Sequence, residues 1–305
     1  MSQMIRKILG ECPCKAAVEI EVQGTLNALT YKTKADGNWV SFKRIDWFTL
    51  SGGGTFDGLG PKVWGACGGK YCKELPVNLR FHSITNGLVK DIASKDSKQF
   101  HVSLLSCQNL EFQHFTISAP AESINTDGIH ISRSSNISVT NSNIGTGDGC
   151  ISIGPGTQQI TITGVTCGPG HGISIEVLVS CRMKSLWLES ESGVIRTFSN
   201  TDKGVRIKTW PASFEGSVTD VIYEGIVMNN VTNPIIIDQV YCPAGVCNAK
   251  GFVDFASVME TLGKYCSNRV ENLSYRKLGE YSDGECVAVD REDITSSVLG
   301  KANIF

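Results

Sequence analysis

Two aspartates occupy matching places in the sequence, each followed by a glycine and an alternating apolar run. Asp127 lies in NTDGIHI (125–131) and Asp148 lies in GTGDGCISIG (145–154). Two carboxylates that face one bond can act as a general acid and a general base, and such a pair can cleave a glycosidic bond. We therefore predict that both side chains act on the same substrate bond.

A histidine and two cations follow the aspartates along the chain. His171 lies between glycines in GPGHGISI (168–175), and one residue separates Arg206 from Lys208 in GVRIKTW (204–210). Because alternate residues of a strand point to the same side, Arg206 and Lys208 would share one face. Two acids, a histidine and two cations suit an acidic sugar whose carboxylate the cations hold.

Each of these motifs also has a purely structural explanation. An isolated Asp-Gly is usually a turn, a Gly-His-Gly is more often a tight bend, and an Arg-Ile-Lys alone is a solvated strand face. However, the motifs occur in order, and each adjoins a strand of the same repeat. That arrangement favours a shared site over unrelated turns.

Short runs of alternating apolar and β-branched residues recur along the chain and are predicted as strands. They lie at 78–84, 109–117, 136–144, 159–167 and 221–228. This spacing is typical of a stacked solenoid, and we predict an all-β right-handed parallel β-helix with inward Ile, Val and Phe ladders and stacked turn asparagines. The alternative, a β-sandwich, turns every ~8–12 residues, so the longer spacing disfavours it.

The composition of the 305 residues bears on the possible partners. The formal net charge is −2, and no apolar run is long enough for a membrane-spanning helix. We therefore expect neither a nucleic-acid partner nor a membrane partner.

Twelve cysteines favour disulfides and an extracellular location. Short loops could be closed at CPC (12–14), CGGKYC (67–72) and YCPAGVC (241–247). A zinc site, the alternative, is disfavoured because these pairs lack regular spacing and none of the five histidines adjoins them. N-glycosylation sequons begin at Asn136, Asn230 and Asn272. The chain as written carries no signal peptide, so we expect a secreted protein whose N-terminal segment is missing.

In this order, NTD, GDGC, GHG and RIK resemble the four signature motifs of the polygalacturonases, glycoside hydrolase family 28. The context from 100 to 131 is similar to plant pollen exopolygalacturonases, and the resemblance covers roughly residues 11–175 and 197–250. It implies a right-handed parallel β-helix that hydrolyses α-1,4-linked galacturonan of pectin with inversion, in an exo-acting mode. It further implies a secreted, monomeric cell-wall enzyme with no metal or organic cofactor.

The resemblance also implies roles for individual residues. Asp148 matches the general acid that protonates the leaving oxygen, and Asp127 matches one of two carboxylates that activate the attacking water. His171 matches the histidine that tunes the acid. The residues that match the substrate-binding set are Arg206, Lys208 and Tyr241.

The main departure from the family lies at Gly149. The family motif is Gly-Asp-Asp-Cys, whose second aspartate belongs to the water-activating pair, whereas this chain reads Gly-Asp-Gly-Cys. A positioned acid or base contributes ~10²–10⁴-fold to a rate, so we expect turnover to be lower by about two orders of magnitude or more. Gly149 also keeps open an alternative, a non-catalytic galacturonan binder or inactive relative. A pectate lyase needs calcium-binding acids, and the motifs disfavour it.

Two further departures concern longer segments. Where the family reads GISIGSLG, this chain reads GISIEVLVS, and a shift of reading frame over 176–196 accounts for the difference. Both ends also differ from the family pattern. We expect one β-helical domain over 1–250, truncated at both ends, and a divergent tail over 251–305.

Overall fold

The computed structural model is a right-handed parallel β-helix, as the sequence predicts. The structure describes residues 2–5, 8–11, 16–30, 37–67, 75–177, 183–188, 196–209, 218–223, 226–238, 241, 273–276 and 300–304. Its only helical elements in these ranges are two short 3-10 helices, Gly60–Lys62 and Trp64–Cys67. No helix of the described residues is long and apolar enough to cross a membrane.

The described strands are short, and they recur coil after coil. In chain order they are β1 (Ser2–Ile5), β2 (Ile8–Glu11), β3 (Val18–Glu21), β4 (Thr25–Ala28), β5 (Asn38–Lys43), β6 (Asp46–Ser51), β7 (Thr55–Asp57), β8 (Val77–His82), β9 (Thr85–Lys90), β10 (Ala93–Lys95), β11 (Val102–Leu105), β12 (Gln108–Gln113), β13 (Thr116–Ser118), β14 (Ile129–Ser132), β15 (Ser135–Thr140), β16 (Asn143–Gly145), β17 (Gly149–Ile153), β18 (Gln158–Thr163), β19 (Thr166–Cys167), β20 (Gly170–Val177), β21 (Met183–Leu188), β22 (Arg196–Ser199), β23 (Thr201–Thr209), β24 (Val218–Tyr223), β25 (Ile226–Asn229), β26 (Asn233–Asp238), β27 (Leu273–Arg276) and β28 (Gly300–Ile304).

As far as β26, every third strand joins the same sheet, which makes three sheets along the solenoid. Sheet 1 has the order β1-β4-β7-β10-β13-β16-β19-β22-β25. Sheet 2 has the order β2-β5-β8-β11-β14-β17-β20-β23-β26-β27. Sheet 3 has the order β28-β24-β21-β18-β15-β12-β9-β6-β3. Neighbouring strands pair in parallel, except that β28 runs antiparallel to β24.

The runs predicted as single strands turn a corner in the structure, so those predictions were wrong in their extent. The run at 109–117 forms β12 and β13, which are separated at His114 with φ 49°. The run at 136–144 divides in the same way at Asn141, with φ 47°. A left-handed residue redirects the chain without disturbing the alternation on either side, so the sequence period alone does not reveal the corner.

Inward-facing ladders build the core, and this prediction is confirmed. Ile129, Ile151, Ile173 and Val205 lie side by side on successive coils of sheet 2 and are almost fully buried. Aromatic rings fill the earlier coils. Phe81 and Phe112 pack edge to face, with 5.7 Å between their ring centroids. The pair stabilises the fold through the burial of apolar surface and through the favourable orientation of the two rings.

Stacked asparagines run along two corners of the solenoid, as predicted: Asn86, Asn109 and Asn136 lie between sheets 2 and 3, and Asn200 and Asn230 lie between sheets 1 and 2. The Nδ2 amide of Asn136 donates to Oδ1 of Asn109 at 2.9 Å, and Asn109 donates to Asn86 at 2.9 Å. Asn230 donates to Asn200 at 2.8 Å. All five have positive φ, a conformation that asparagine adopts more readily than most residues. Each coil therefore fixes the corner of the next.

One disulfide lies within the described residues, and it was not anticipated from the sequence. Cys150 in β17 is bonded to Cys167 in β19. Cys107 is buried and unbonded. The cysteines of the three short loops predicted to be closed by disulfides, at 12–14, 67–72 and 241–247, lie outside the side chains that the structure describes.

Parts of the two divergent segments also form strands. β21 falls within 176–196 and pairs with β18 and β24, which continues sheet 3. β27 and β28 fall within 251–305 and pair with β26 and β24. The division of the chain at residue 250 stays a prediction.

We predict that Phe112→Ala lowers the free energy of unfolding by about 3–5 kcal/mol, because it leaves a cavity in the closed stack. Urea denaturation followed by circular dichroism measures the loss. Trp47→Ala is the control, since its side chain is 61% exposed and should change stability by only about 0.5 kcal/mol. Equal losses in the two variants would contradict the inward ladder as the source of stability.

Candidate active site

The two predicted acids lie on turns that lead into adjacent strands of sheet 2. Asp127 precedes β14 and Asp148 precedes β17. A hydroxyl network holds the turns together, because Thr126 Oγ1 bonds Ser123 Oγ at 2.6 Å and accepts from the Gly147 N–H of the next coil at 3.1 Å. The small polar residues around the aspartates therefore fix the two turns relative to each other.

Asp148 and His171, which the resemblance assigns to an acid and the histidine that tunes it, form a hydrogen-bonded pair. His171 Nδ1 lies 2.8 Å from Asp148 Oδ1, and the backbone N–H of His171 donates to the carbonyl oxygen of Asp148 at 2.8 Å. The ring is placed by the register of β20 beside β17, in which His171 stands opposite Gly149. On the far side of the ring, Nε2 lies 3.8 Å from Asp202. The imidazole is thus held between two carboxylates.

The environments of the two acids move their pKa values apart. Burial and, after it, the negative charge of Asp148 raise the pKa of Asp127 to about 8, against a hydrogen bond from Ser152 that lowers it. Burial also opposes ionisation of Asp148, but the hydrogen bond and charge of His171 bring its pKa below the ordinary value. Near neutral pH the substrate-free pair therefore holds one proton, on Asp127, and His171 Nδ1–H donates to an ionised Asp148.

The predicted substrate-binding residues meet on the outer face of sheet 2. The guanidinium carbon of Arg206 lies 4.7 Å from the centroid of the Tyr241 ring, and Lys208 Nζ lies 4.6 Å from it. Arg206 also forms an ion pair with Asp238 at 2.6 Å, and Lys208 with Glu176 at 2.7 Å. Two cations stacked on one aromatic ring form a binding surface that suits a sugar bearing a carboxylate.

The cations and the acids belong to one continuous surface. Ser152, Ser174 and Arg206 are neighbours in register on β17, β20 and β23, and strands in a sheet lie about 4.8 Å apart. The charge of Lys208 lowers the pKa of both Asp127 and Asp148. Substrate held by the cations would therefore lie within reach of the acids.

Sequence reasoning missed several residues that line this surface. Asp238 and Glu176 pair with the cations, and His130 bonds Ser152 through Nδ1 at 2.9 Å. The sequence places these residues at alternating positions at or near the ends of apolar runs, which indicates that their side chains point outward. It does not show which residues of the neighbouring coils they contact. Among the described side chains, no group of three or more His, Cys, Asp or Glu residues is arranged to hold a metal ion.

Gly149 faces Asp127 directly. A Cβ atom at residue 149 would lie 3.3 Å from Asp127 Oδ2, and the backbone there is outside the left-handed region. A side chain fits with a shift of a few tenths of an ångström, and a carboxylate would project toward Asp127. Gly149, the main departure from the family pattern, therefore lies beside Asp127, the residue that the resemblance assigns to water activation.

Comparisons with known proteins agree with this geometry. The family model "Glycosyl hydrolases family 28" matches residues 3–262. The chain is 49% identical over 245 residues to a polygalacturonase of Nicotiana tabacum (78% of this chain, 60% of the relative), and 42% identical over 304 residues to an exopolygalacturonase of Platanus acerifolia (90% and 80%). The chain thus spans about 60% of the length of the tobacco relative.

A solved structure extends the similarity to the fold. The polygalacturonase from Erwinia carotovora ssp. carotovora superposes with a TM-score of 0.63 at 26% sequence identity. The match covers 79% of this chain and 70% of that chain.

We predict that Asp127 makes stability fall as pH rises. Because its folded-state pKa is raised to about 8 from 3.8, its stabilising contribution is fully present below about pH 4 and is lost as the pH rises through about 8. Urea denaturation at pH 5 and pH 8 should show a smaller decrease for Asp127→Asn than for the unsubstituted protein.

Asp46→Asn is the control for this measurement. Hydrogen bonds from Thr85 and Asn86 lower the pKa of Asp46, so its contribution is lost only as the pH falls toward the acid range. It should leave the difference between pH 5 and pH 8 unchanged. A pH dependence in Asp127→Asn identical to that of the unsubstituted protein would contradict the raised pKa.

Proposed function

Because the chain belongs to glycosyl hydrolases family 28, we propose that it hydrolyses α-1,4-galacturonosyl bonds of polygalacturonate, the acidic chain of pectin. The observation that carries the proposal is the Asp148–His171 pair beside the buried Asp127, on the same face as the Arg206–Lys208–Tyr241 cluster. Acids that differ in pKa supply the proton transfers, and the cation cluster supplies hydrogen-bond donors for the carboxyl group of the sugar.

The proposed mechanism is a single displacement with inversion. Asp148 protonates the leaving oxygen while Asp127 takes a proton from the water that attacks the opposite face of the sugar, and such a pair stands ~6.5–9.5 Å apart. The step needs one proton on the two carboxyl groups together. The site holds one such proton near neutral pH. In the substrate-free site that proton lies on Asp127, so the reactive form requires its transfer to Asp148.

Binding of the sugar is assigned to the cation cluster. Arg206 and Lys208 would contact the substrate carboxylate, and the ring of Tyr241 would pack against the sugar. We propose exo-action, which the Platanus acerifolia exopolygalacturonase supports because that relative matches 90% of this chain. Secretion to the cell wall, glycosylation, a monomeric state and a β-helical domain over 1–250 with a divergent tail belong to the same proposal.

A second candidate function is binding of galacturonan without hydrolysis. Gly149 is the observation that favours it, because the side chain that would face Asp127 is missing. The intact Asp148–His171 pair opposes it. Binding of galacturonate oligomers with no release of reducing ends would select this candidate.

We expect purified protein to release galacturonate monomer from polygalacturonate from the earliest time points, with the β-anomer formed first. Anion-exchange chromatography identifies the products and proton NMR the anomer. Asp148→Asn is the inactive control. Mixed oligomers at early times would exclude exo-action, and an initial α-anomer would exclude inversion.

We expect Gly149→Asp to raise turnover about 100-fold or more, because it adds a second carboxylate beside Asp127. Gly149→Asn is the matched control, since it has the same size but no charge and should give little gain. Initial rates of reducing-end release at saturating polygalacturonate measure the effect. Equal rates for the unsubstituted protein and Gly149→Asp would show that Asp127 needs no partner.

A further inference from the structure

Glu176 occupies the cation cluster before any substrate arrives. Glu176, Lys208 and Asp238 stand opposite one another on β20, β23 and β26, so Lys208 lies between two carboxylates in register. Its Nζ is 2.7 Å from Glu176 Oε1, which is contact distance for a charge-assisted hydrogen bond. The carboxylate of Glu176 therefore already binds Lys208 Nζ, the atom that is expected to bind the carboxylate of the sugar.

This ion pair is largely withdrawn from water. The side chain of Lys208 is 12% exposed and that of Glu176 is 17% exposed. A pair in such surroundings is screened far less than a surface pair, and removal of one partner leaves a poorly solvated charge. A second carboxylate must consequently displace Glu176 or share Lys208 with it.

The charges of the cluster cancel. Arg206 Nη2 contacts Asp238 Oδ2 at 2.6 Å, and these side chains are 13% and 17% exposed. Two cations and two carboxylates leave the cluster without net positive charge. The negative charge of Glu176 reaches the catalytic pair as well, because it contributes to the raised pKa of Asp127.

The two forms of a galacturonate residue meet this cluster differently. A free carboxylate adds a third negative charge next to Glu176, and like charges at short range repel. A methyl ester is uncharged, and its carbonyl oxygen can accept a hydrogen bond from Lys208 Nζ, which carries three N–H groups. The ester therefore keeps the contact and avoids the repulsion.

We propose that Glu176 determines specificity, by disfavouring a free galacturonate at Lys208 and favouring a methyl-esterified one. The inference rests on the proposed function, since it assumes that this cleft binds galacturonan. Glu176 is also the first residue at which the chain departs from the family pattern after GISI, so the effect belongs to this chain.

Isothermal titration calorimetry with trigalacturonate and with its trimethyl ester tests the proposal on the full chain. We expect Glu176→Gln, which keeps the shape and removes the charge, to bind trigalacturonate about tenfold more tightly. Its affinity for the trimethyl ester should change less than about twofold. Glu111→Gln is the matched control, because it changes the net charge equally from sheet 3 and should leave both affinities unchanged.

Two further measurements make the test independent of one variant. The unsubstituted protein should bind the ester at least as tightly as the free acid, and a strong preference for the acid overturns the proposal. In Glu176→Gln combined with Lys208→Met, the gain for the free acid should disappear, since no cation remains to be released. A gain that persists would place the effect elsewhere and overturn the role of this pair.

The failure of this inference is distinguishable from the failure of the proposed function. If the oligomers bind but Glu176→Gln leaves the ratio of the two affinities unchanged, the inference is wrong and the galacturonan cleft stands. If neither oligomer binds to any variant, the galacturonan cleft itself is wrong, and the specificity proposal falls with it.

Discussion

Parallel pairing of successive coils is the constraint on which the rest of this structure depends. Each coil hydrogen-bonds to its neighbours in three sheets, and Ile129, Ile151, Ile173 and Val205 share one inward position along sheet 2. A slip of one residue would turn every inward side chain outward. Burial of the ladder therefore fixes the register, and the register decides which polar side chains stand together outside.

The proposed acid–base pair follows from this stacking. His171 reaches Asp148 because β20 lies beside β17, whereas Asp127 is buried without such a partner. Burial raises the pKa of both carboxyls, and the two values separate because only Asp148 gains a hydrogen bond from a histidine. The same packing that stabilises the solenoid thus gives two chemically similar carboxyls different protonation states.

The stacking of coils also determines which residues surround the two cations. Arg206 and Lys208 lie on one strand and share the ring of Tyr241, but the adjacent coils supply Asp238 and Glu176. The two cations are neutralised within the protein, so charge alone does not attract an acidic sugar. In the specificity that we propose, affinity depends on how a ligand competes with these carboxylates.

The sequence by itself determined the repeat, the inward apolar ladder and the stacking of asparagines such as Asn109 and Asn136. These follow from local period-two alternation and from residue types at turns. The order of the motifs also identified the residues that gather around Asp148. Matching positions in successive repeats indicated Asp127, Asp148 and His171, because a solenoid places such positions side by side, whereas Tyr241 came only from the resemblance to the family.

Only the tertiary structure decided the corners at His114 and Asn141, the Cys150–Cys167 disulfide and the partners of the two cations. A corner depends on one residue's φ, which period-two alternation does not encode. The disulfide and the ion pairs join positions at least 17 residues apart, and their contact depends on the register between coils. The pKa of Asp127 belongs to this group as well, because burial by neighbouring coils causes it.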